Sequence, residues 1–255
     1  MCRRHIFGAC AALILTFPSP GAAQQYSFRL YGAAEGLQNM AVLSMAQDRA
    51  GYIWAGTEGG LYRYDGTRFR LMGQAEGLPC GTEIHTLYLA SDGGLWTHAC
   101  NQILRFDGES FHSVLVLRGP LGGAQRIAED VHGNVVVSTE SGLKQVLPSG
   151  VNPYPVPHDL EGKQTRGILR HGSQLWFGCD LSLCVENGGR TSIYGPENGL
   201  PEDSWDGIAI APDETVWVRS SNRLYRKPPG KDYFVQEKPD LGSSMFWGAI
   251  TITAD

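Results

Sequence analysis

The chain has 255 residues, 42% hydrophobic and 18% charged, with 33 glycines and a formal net charge of −5. That apolar content supports a packed core and excludes wholesale disorder, while glycine without a three-residue period excludes collagen and leaves many tight turns. The acidic balance argues against a partner gripped through its phosphates, so no nucleic acid is expected.

At the N-terminus Arg3 and Arg4 precede an apolar stretch from Ile6 to Phe17, Pro18 and Pro20 break it, and Gly21-Ala22-Ala23 offers small side chains before Gln24. This is the pattern of an export signal over residues 1–23. The apolar stretch is much shorter than the roughly 20 residues of a bilayer span, and it runs on past Cys10, against a lipoprotein. Of the six cysteines, Cys2 and Cys10 leave with the signal. Cys80, Cys100, Cys179 and Cys184 remain, without a C-x-x-C pattern, which suggests two disulfides and an oxidising compartment.

The rest, 24–255, repeats. SFRLYGAAEGLQ at Ser27 returns as RFRLMGQAEGLP at Arg68 and as SIYGPENGLPED at Ser192. After each comes an apolar segment, a turn and a strand bearing tryptophan: Trp54, Trp96, Trp176 and Trp217, with Val136 in its place in the third copy. In the first unit Val42 to Gln47 reads as strand a, Tyr52 to Thr57 as b, Leu61 to Tyr64 as c and Arg68 to Met72 as d. Asp65-Gly66 is expected to close the c–d hairpin through left-handed dihedrals, as are Asp107-Gly108 and Asn187-Gly188.

Four short strands every forty-odd residues, one tryptophan per unit and no helical apolar period describe an all-β chain, a β-propeller of four-stranded blades. Five units run over 41–73, 83–117, 121–157, 163–195 and 204–237. A further one begins at 246–255, where WGAITITAD echoes WDGIAIAPD, and Tyr26 to Tyr31 reads as a lone outer strand. Partial blades at both ends are expected to make this a piece of a longer protein with an incomplete ring. Such a piece leaves terminal faces open. The tryptophans fill the wedge between twisted sheets and are structural, and Val136 should make blade three the softest internal unit.

The stretch GLQNMAVLSMAQDRAGYIWAGTEGGLYRYDGTRF resembles the two-component regulator propeller repeat at Gly36, Leu37, Asn39, Asp48, Gly51, Trp54, Gly56, Thr57, Gly60, Leu61, Tyr64, Asp65 and Gly66. The second and fourth copies match well, the fifth in part, the third by spacing alone. The resemblance implies a periplasmic sensor domain ahead of a β-sandwich, a transmembrane helix and a histidine kinase or diguanylate cyclase output. Membrane attachment would then belong to other parts of the parent chain, and homodimers through paired propellers are implied too.

Catalytic patterns are missing: no HExxH, GxSxG, P-loop, GxGxxG or EF-hand loop occurs, so no catalytic residue, metal or cofactor is expected. His132 and His171 fall in a–b turns, and Asp48 and Asp130 read as turn caps rather than calcium ligands. Binding is what remains. The residues just before each strand a ring a propeller's mouth: Asn39 and Met40, Glu83 and His85, Gln125 and Arg126, Arg166, Trp205 and Asp206, Phe246 and Trp247. They could hold a small molecule, an oligosaccharide or a peptide, and would equally serve as loop surface. The leading reading is a periplasmic ligand-sensing propeller of a membrane signalling protein. The alternatives are a secreted lyase resembling streptogramin lyase, which would need a histidine base and a magnesium site, and a structural or adhesion propeller.

The repeat also pairs the cysteines. Cys179 ends strand b and Cys184 lies on strand c of blade four, while Cys80 precedes strand a and Cys100 follows strand b of blade two. Antiparallel neighbours bring each pair within disulfide reach, whereas crossed pairings would have to span an intervening blade. Cys80–Cys100 and Cys179–Cys184 are therefore expected.

Overall fold

The computed structural model describes residues 28–81, 83–118 and 125–237. The export signal, the start of the third unit at 121–124 and the further unit at 246–255 with Phe246 and Trp247 lie outside the described residues, as do Tyr26 and Ser27 of the expected outer strand, whose described part, Phe28 to Tyr31, is not in a strand. The compact unit Tyr31–Asp255 holds all the elements below. Among the described residues no helix is long and apolar enough to cross a membrane.

Five four-stranded antiparallel sheets follow one another along the chain, each with its strands in sequence order, and they form the blades of a β-propeller. Blade one is Val42–Gln47, Ile53–Thr57, Gly60–Tyr64 and Phe69–Met72. Blade two is Leu87–Leu89, Leu95–Ala99, Gln102–Phe106 and Phe111–Val116, and blade three Ile127–Glu129, Val135–Thr139, Gly142–Leu147 and Gly150–Pro153. Blade four is Thr165–His171, Gln174–Cys179, Ser182–Asn187 and Arg190–Tyr194. Blade five is Gly207–Ile210, Val216–Arg219, Leu224–Lys227 and Val235–Glu237. Strands this short suit meanders closed by tight turns.

The repeated glycine-leucine pair has a packing cause. Ahead of blades one, two and five a single 3-10 turn ends on a left-handed glycine, Gly36, Gly77 or Gly199. A Cβ there would fall 2.3 to 2.7 Å from the carbonyl oxygen of Phe69, Phe111 or Phe234, at the outer strand of the blade that follows. Only glycine allows that approach in that conformation, and the next residue, Leu37, Leu78 or Leu200, is then buried. The aspartates of the c–d hairpins act through their carboxylates rather than through left-handed backbone. Asp65 Oδ1 accepts from the amides of Thr67 and Arg68, and Asp107 Oδ1 from those of Glu109 and Ser110. In blade four Asn187 still belongs to the strand and pairs with Arg190. Gly188-Gly189, both at positive φ, make that turn.

Each strand-b tryptophan points at the next blade. Trp54 is fully buried with Leu95, Leu104, Phe106 and Phe111 of blade two, Trp96 packs with Ile127, Val135 and Val137 of blade three, and Trp176 with Ile208, Val216 and Val218 of blade five. Trp217 is half-buried; the face it presents is the one the following blade covers elsewhere, and 238–255 lie outside the described residues. Val136 leaves no gap. It is fully buried against Ile168, Leu175, Phe177, Cys179 and Cys184 of blade four. Phe177 stands where the other blades have Ala55, Thr97, Val137 and Val218, so the following blade supplies the volume that the missing tryptophan would have filled.

Both disulfides form as the repeat requires. Cys80 and Cys100 have Cα atoms 6.2 Å apart, Cys179 and Cys184 5.8 Å. The second pair is diagonal, since Cys179 faces Ser182 and Cys184 faces Phe177 across the ladder. The two bridges sit at b–c turns that lack a particular pin. In blades one and three Thr57 and Thr139 donate their hydroxyls to the carbonyls of Gly60 and Gly142. Blades two and four carry Ala99 and Cys179 at that position and are stapled covalently instead.

Candidate functional site

One end of the propeller unit carries the a–b turns, and its polar groups are engaged in structure. Asp48 Oδ1 accepts from the amides of Ala50 and Tyr52, and its Oδ2 from the indole of Trp54 at 2.8 Å. Asp130 is filled in the same way by His132, Asn134 and Gln145. Neighbouring blades are joined here: Ser91 donates to the buried Glu129, and His171 Nε2 meets Glu214 Oε2 at 2.9 Å. A groove of about 490 Å³ lined by Asp130, Tyr154 and Glu186 has no spare acid, because Glu186 accepts from Tyr154 and Gly189. On blade two Ser110 and Asp107 both meet His112 through the same Nε2, at 3.1 and 2.7 Å. Proton relay needs both ring nitrogens, so this trio clasps a hairpin.

The other end carries the b–c turns and the connections into strand a. Two residues after each strand-b tryptophan, or after Val136, the chain places Gly56, His98, Ser138, Gly178 and Arg219. At Gly56 and Gly178 the following blade leaves no room, for a Cβ would lie 2.4 Å from the Ile84 carbonyl oxygen and 2.1 Å from that of Trp205. Blades two, three and five carry side chains at this position. Beside them lies Arg126, only 2% exposed, whose Nη1 donates to the Thr165 carbonyl at 3.0 Å. Ser138 donates to Thr165 Oγ1 and Thr165 to the Thr139 carbonyl, latching blade three to blade four. Gln125 reaches past blade four. Its amide donates to the Ile208 carbonyl at 2.9 Å and accepts from the Ile208 amide at 2.7 Å, capping the strand edge of blade five as a neighbouring peptide would.

The charges here act on one another. Burial, then repulsion from Arg166, pushes the Arg126 guanidinium down to about 10, so it is still a cation at neutral pH. Burial raises Asp206, opposed by the attraction of Arg219, Arg126 and Arg166. Arg219 Nη2 stands 3.9 Å from Asp206 Oδ1, too long for a hydrogen bond. Burial first, then Arg126 and His85, lowers His98 to about 4 and leaves it neutral at pH 7. Buried polar atoms without a hydrogen-bond partner concentrate here: His85 Nδ1, His98 Nε2, Asp206 Oδ1, Arg219 Nε and Ser220 Oγ.

Of the residues expected at the mouth, Arg126, Arg166 and Asp206 come together, and His85 Nε2 meets the exposed Glu83 at 2.9 Å near them. Asn39 does not join; its side chain accepts from the Ala41 amide and shapes the connection into blade one. Trp205 is a correction. It is fully buried and packs edge-on against Tyr225 at 5.5 Å between centroids, so it is a core residue between blades four and five. Trp247 lies outside the described residues. Sequence reasoning missed His98 and Arg219. Their signal was available, since both stand where the first unit's W-x-G pattern has glycine. Among the described residues no group of three or more His, Cys, Asp or Glu is placed to hold a metal ion.

With this geometry in view, comparison with known proteins is informative at the level of the repeat. Residues 36–59 match the family model of the two component regulator propeller. The fold is shared with the extracellular domain of a hybrid two component system from B. thetaiotaomicron, at 19% identity and a TM-score of 0.63, over 81% of this chain and 31% of that one. It is shared equally with virginiamycin B lyase from Staphylococcus aureus, at 17% identity and a TM-score of 0.61, over 83% of this chain and 74% of that one. PorZ, a surface component of the type-IX secretion system of Porphyromonas gingivalis, is similar at 13% identity and a TM-score of 0.57, over 82% and 36%. The chain thus spans about a third of that extracellular domain. No curated protein matches the sequence.

Proposed function

We propose that this chain is the ligand-sensing propeller of an exported signalling protein, displayed at the periplasmic face of the inner membrane and coupled through the parent chain to a histidine kinase or diguanylate cyclase. The observation that carries the reading is the set of mutually interacting charges at the mouth, the buried Arg126 and Asp206 with the half-buried Arg166 and Arg219. Burying charge is costly, and at the position where blade five carries Arg219 blades one and four close with glycine. The two component regulator match at 36–59 supports the signalling context, and two disulfides support an oxidising compartment.

Two experiments test this reading. An alkaline phosphatase fusion after residue 40 should be active in the periplasm, and an inactive fusion contradicts export. Reading the complete open reading frame should show a transmembrane span and a kinase or cyclase; a frame without either contradicts the sensor. A lyase reading draws on the fold shared with virginiamycin B lyase, for which a histidine-to-alanine variant is catalytically inactive. Of the two histidines at the mouth, His98 is a poor base because burial lowers it to about 4, and His85 is engaged with Glu83. Incubation with quinupristin separates the two, and the sensor reading expects no turnover.

A further inference from the structure

We infer that the mouth cluster is a carboxylate-binding site, in which Arg126, Arg166 and Arg219 supply the charge and His98 a buried hydrogen-bonding nitrogen. This rests on the sensor reading above and names the chemistry of its ligand. Among the described residues three guanidiniums stand around one carboxylate, Asp206, and the other acids that act on them are the exposed Glu83 and Glu140 at the rim. Glu83 is engaged with His85, which leaves the interior of the cluster with an excess of positive charge.

Much of that charge is not matched by a side-chain partner. The Arg166 side chain makes no hydrogen bond or ion pair among the described residues; it repels Arg126 and adds the last of three attractions on Asp206. Arg219 reaches Asp206 only at 3.9 Å, and its Nε has no partner. His98 is more than nine-tenths buried, beside Arg126, and its Nε2 has no hydrogen-bond partner. A buried donor without an acceptor costs free energy, and an anion accepting from it while neutralising the arginines removes both penalties. A planar carboxylate suits guanidinium forks and one imidazole N–H. A neutral polyol would leave the charge excess in place.

Two sources can present such a group, an acidic saccharide or a peptide C-terminus, and the experiment separates them. Isothermal titration of the mature chain would use digalacturonate against galactobiose, and an N-acetylated dipeptide acid against its amide. At least one acid is expected to bind about tenfold or more tightly than its neutral partner, with affinity falling as salt rises. Arg166→Gln, checked for folding by circular dichroism, should weaken that acid about tenfold. A neutral sugar or amide binding as well as its acid, in wild type and Arg166→Gln alike, overturns the carboxylate inference and leaves a sensor with a neutral ligand. Failure of every probe at millimolar concentration overturns the inference, and the reading frame then decides the sensor reading separately.

Discussion

Trp96 and His98 lie on one strand of blade two, yet their positions answer to different demands. At the tryptophan position the demand is volume. Trp54, Trp96 and Trp176 meet it from one side of their interfaces, and between blades three and four the pair Val136 and Phe177 meets it from both sides. At the position two residues on, the demand differs from blade to blade: glycine where a carbonyl of the next chain fills the space, serine where a hydroxyl latches the next blade, histidine or arginine at the mouth. The lesson is that the repeat conserves the filled wedge rather than a particular residue, and that the mouth is where the chain leaves the repeat at an energetic cost.

The sharpest way to break this comparison is to empty a wedge. Trp54→Ala should cost about 3–5 kcal/mol, and Phe177→Ala a similar but smaller amount because Val136 already limits the void. Val136→Trp alone should overpack its interface by about 1–3 kcal/mol. Combined with Phe177→Ala it should recover much of either loss, since the two side chains share one space. Urea denaturation of the four proteins reads this directly, and strictly additive effects would show that Phe177 does not substitute for the missing tryptophan.

The disulfides come next in size. Cys80–Cys100 closes a sequence separation of 20 and Cys179–Cys184 one of 5, so paired serine replacements should cost about 3 and about 2 kcal/mol respectively. Thr57→Val, which removes the hydroxyl pin of the same turn in blade one, should cost about 1 kcal/mol. Denaturation midpoints in that order support a common task for pin and staple. A Thr57→Val loss equal to that of Cys80–Cys100 would contradict it.

How far these features could be read beforehand follows from the same physics. The strands of blade one were legible because alternating apolar residues, an Asp-capped turn and a tryptophan recur at a fixed interval. The cysteine pairs were legible because antiparallel neighbours leave each cysteine only one partner within reach. Phe177 was not: spacing reveals that a residue faces outward from its sheet, not which neighbour has room for it. Trp205 was misplaced for a related reason. Its position in the connection was right, but a large apolar side chain turned under the loop into the core beside Tyr225. Arg219 was missed because it ends a strand b, whereas the mouth was sought just before each strand a, though it replaces a glycine of the repeat.

A pH-dependent effect, confined to the mouth, comes from His98. Its folded pKa, near 4, lies below the ordinary value of 6.5, so the stability it contributes is present above about pH 6.5 and is lost as pH falls toward 4. Over that window the loss should be on the order of 2–3 kcal/mol, and His98→Gln should flatten it. A pH–stability curve unchanged by the replacement would show that His98 titrates as if exposed.

The claim that the mouth charges serve binding rather than folding is tested most directly by the ligand-free stability of Arg166→Gln at low salt. Charges placed to hold the blades together would be missed, whereas charges that repel one another while awaiting an anion would not. The melting temperature of the variant should equal or exceed that of the wild type, because a like charge facing Arg126 is gone while Asp206 keeps its stronger partners, Arg219 and Arg126. A fall of several degrees would assign Arg166 to the fold and contradict the account.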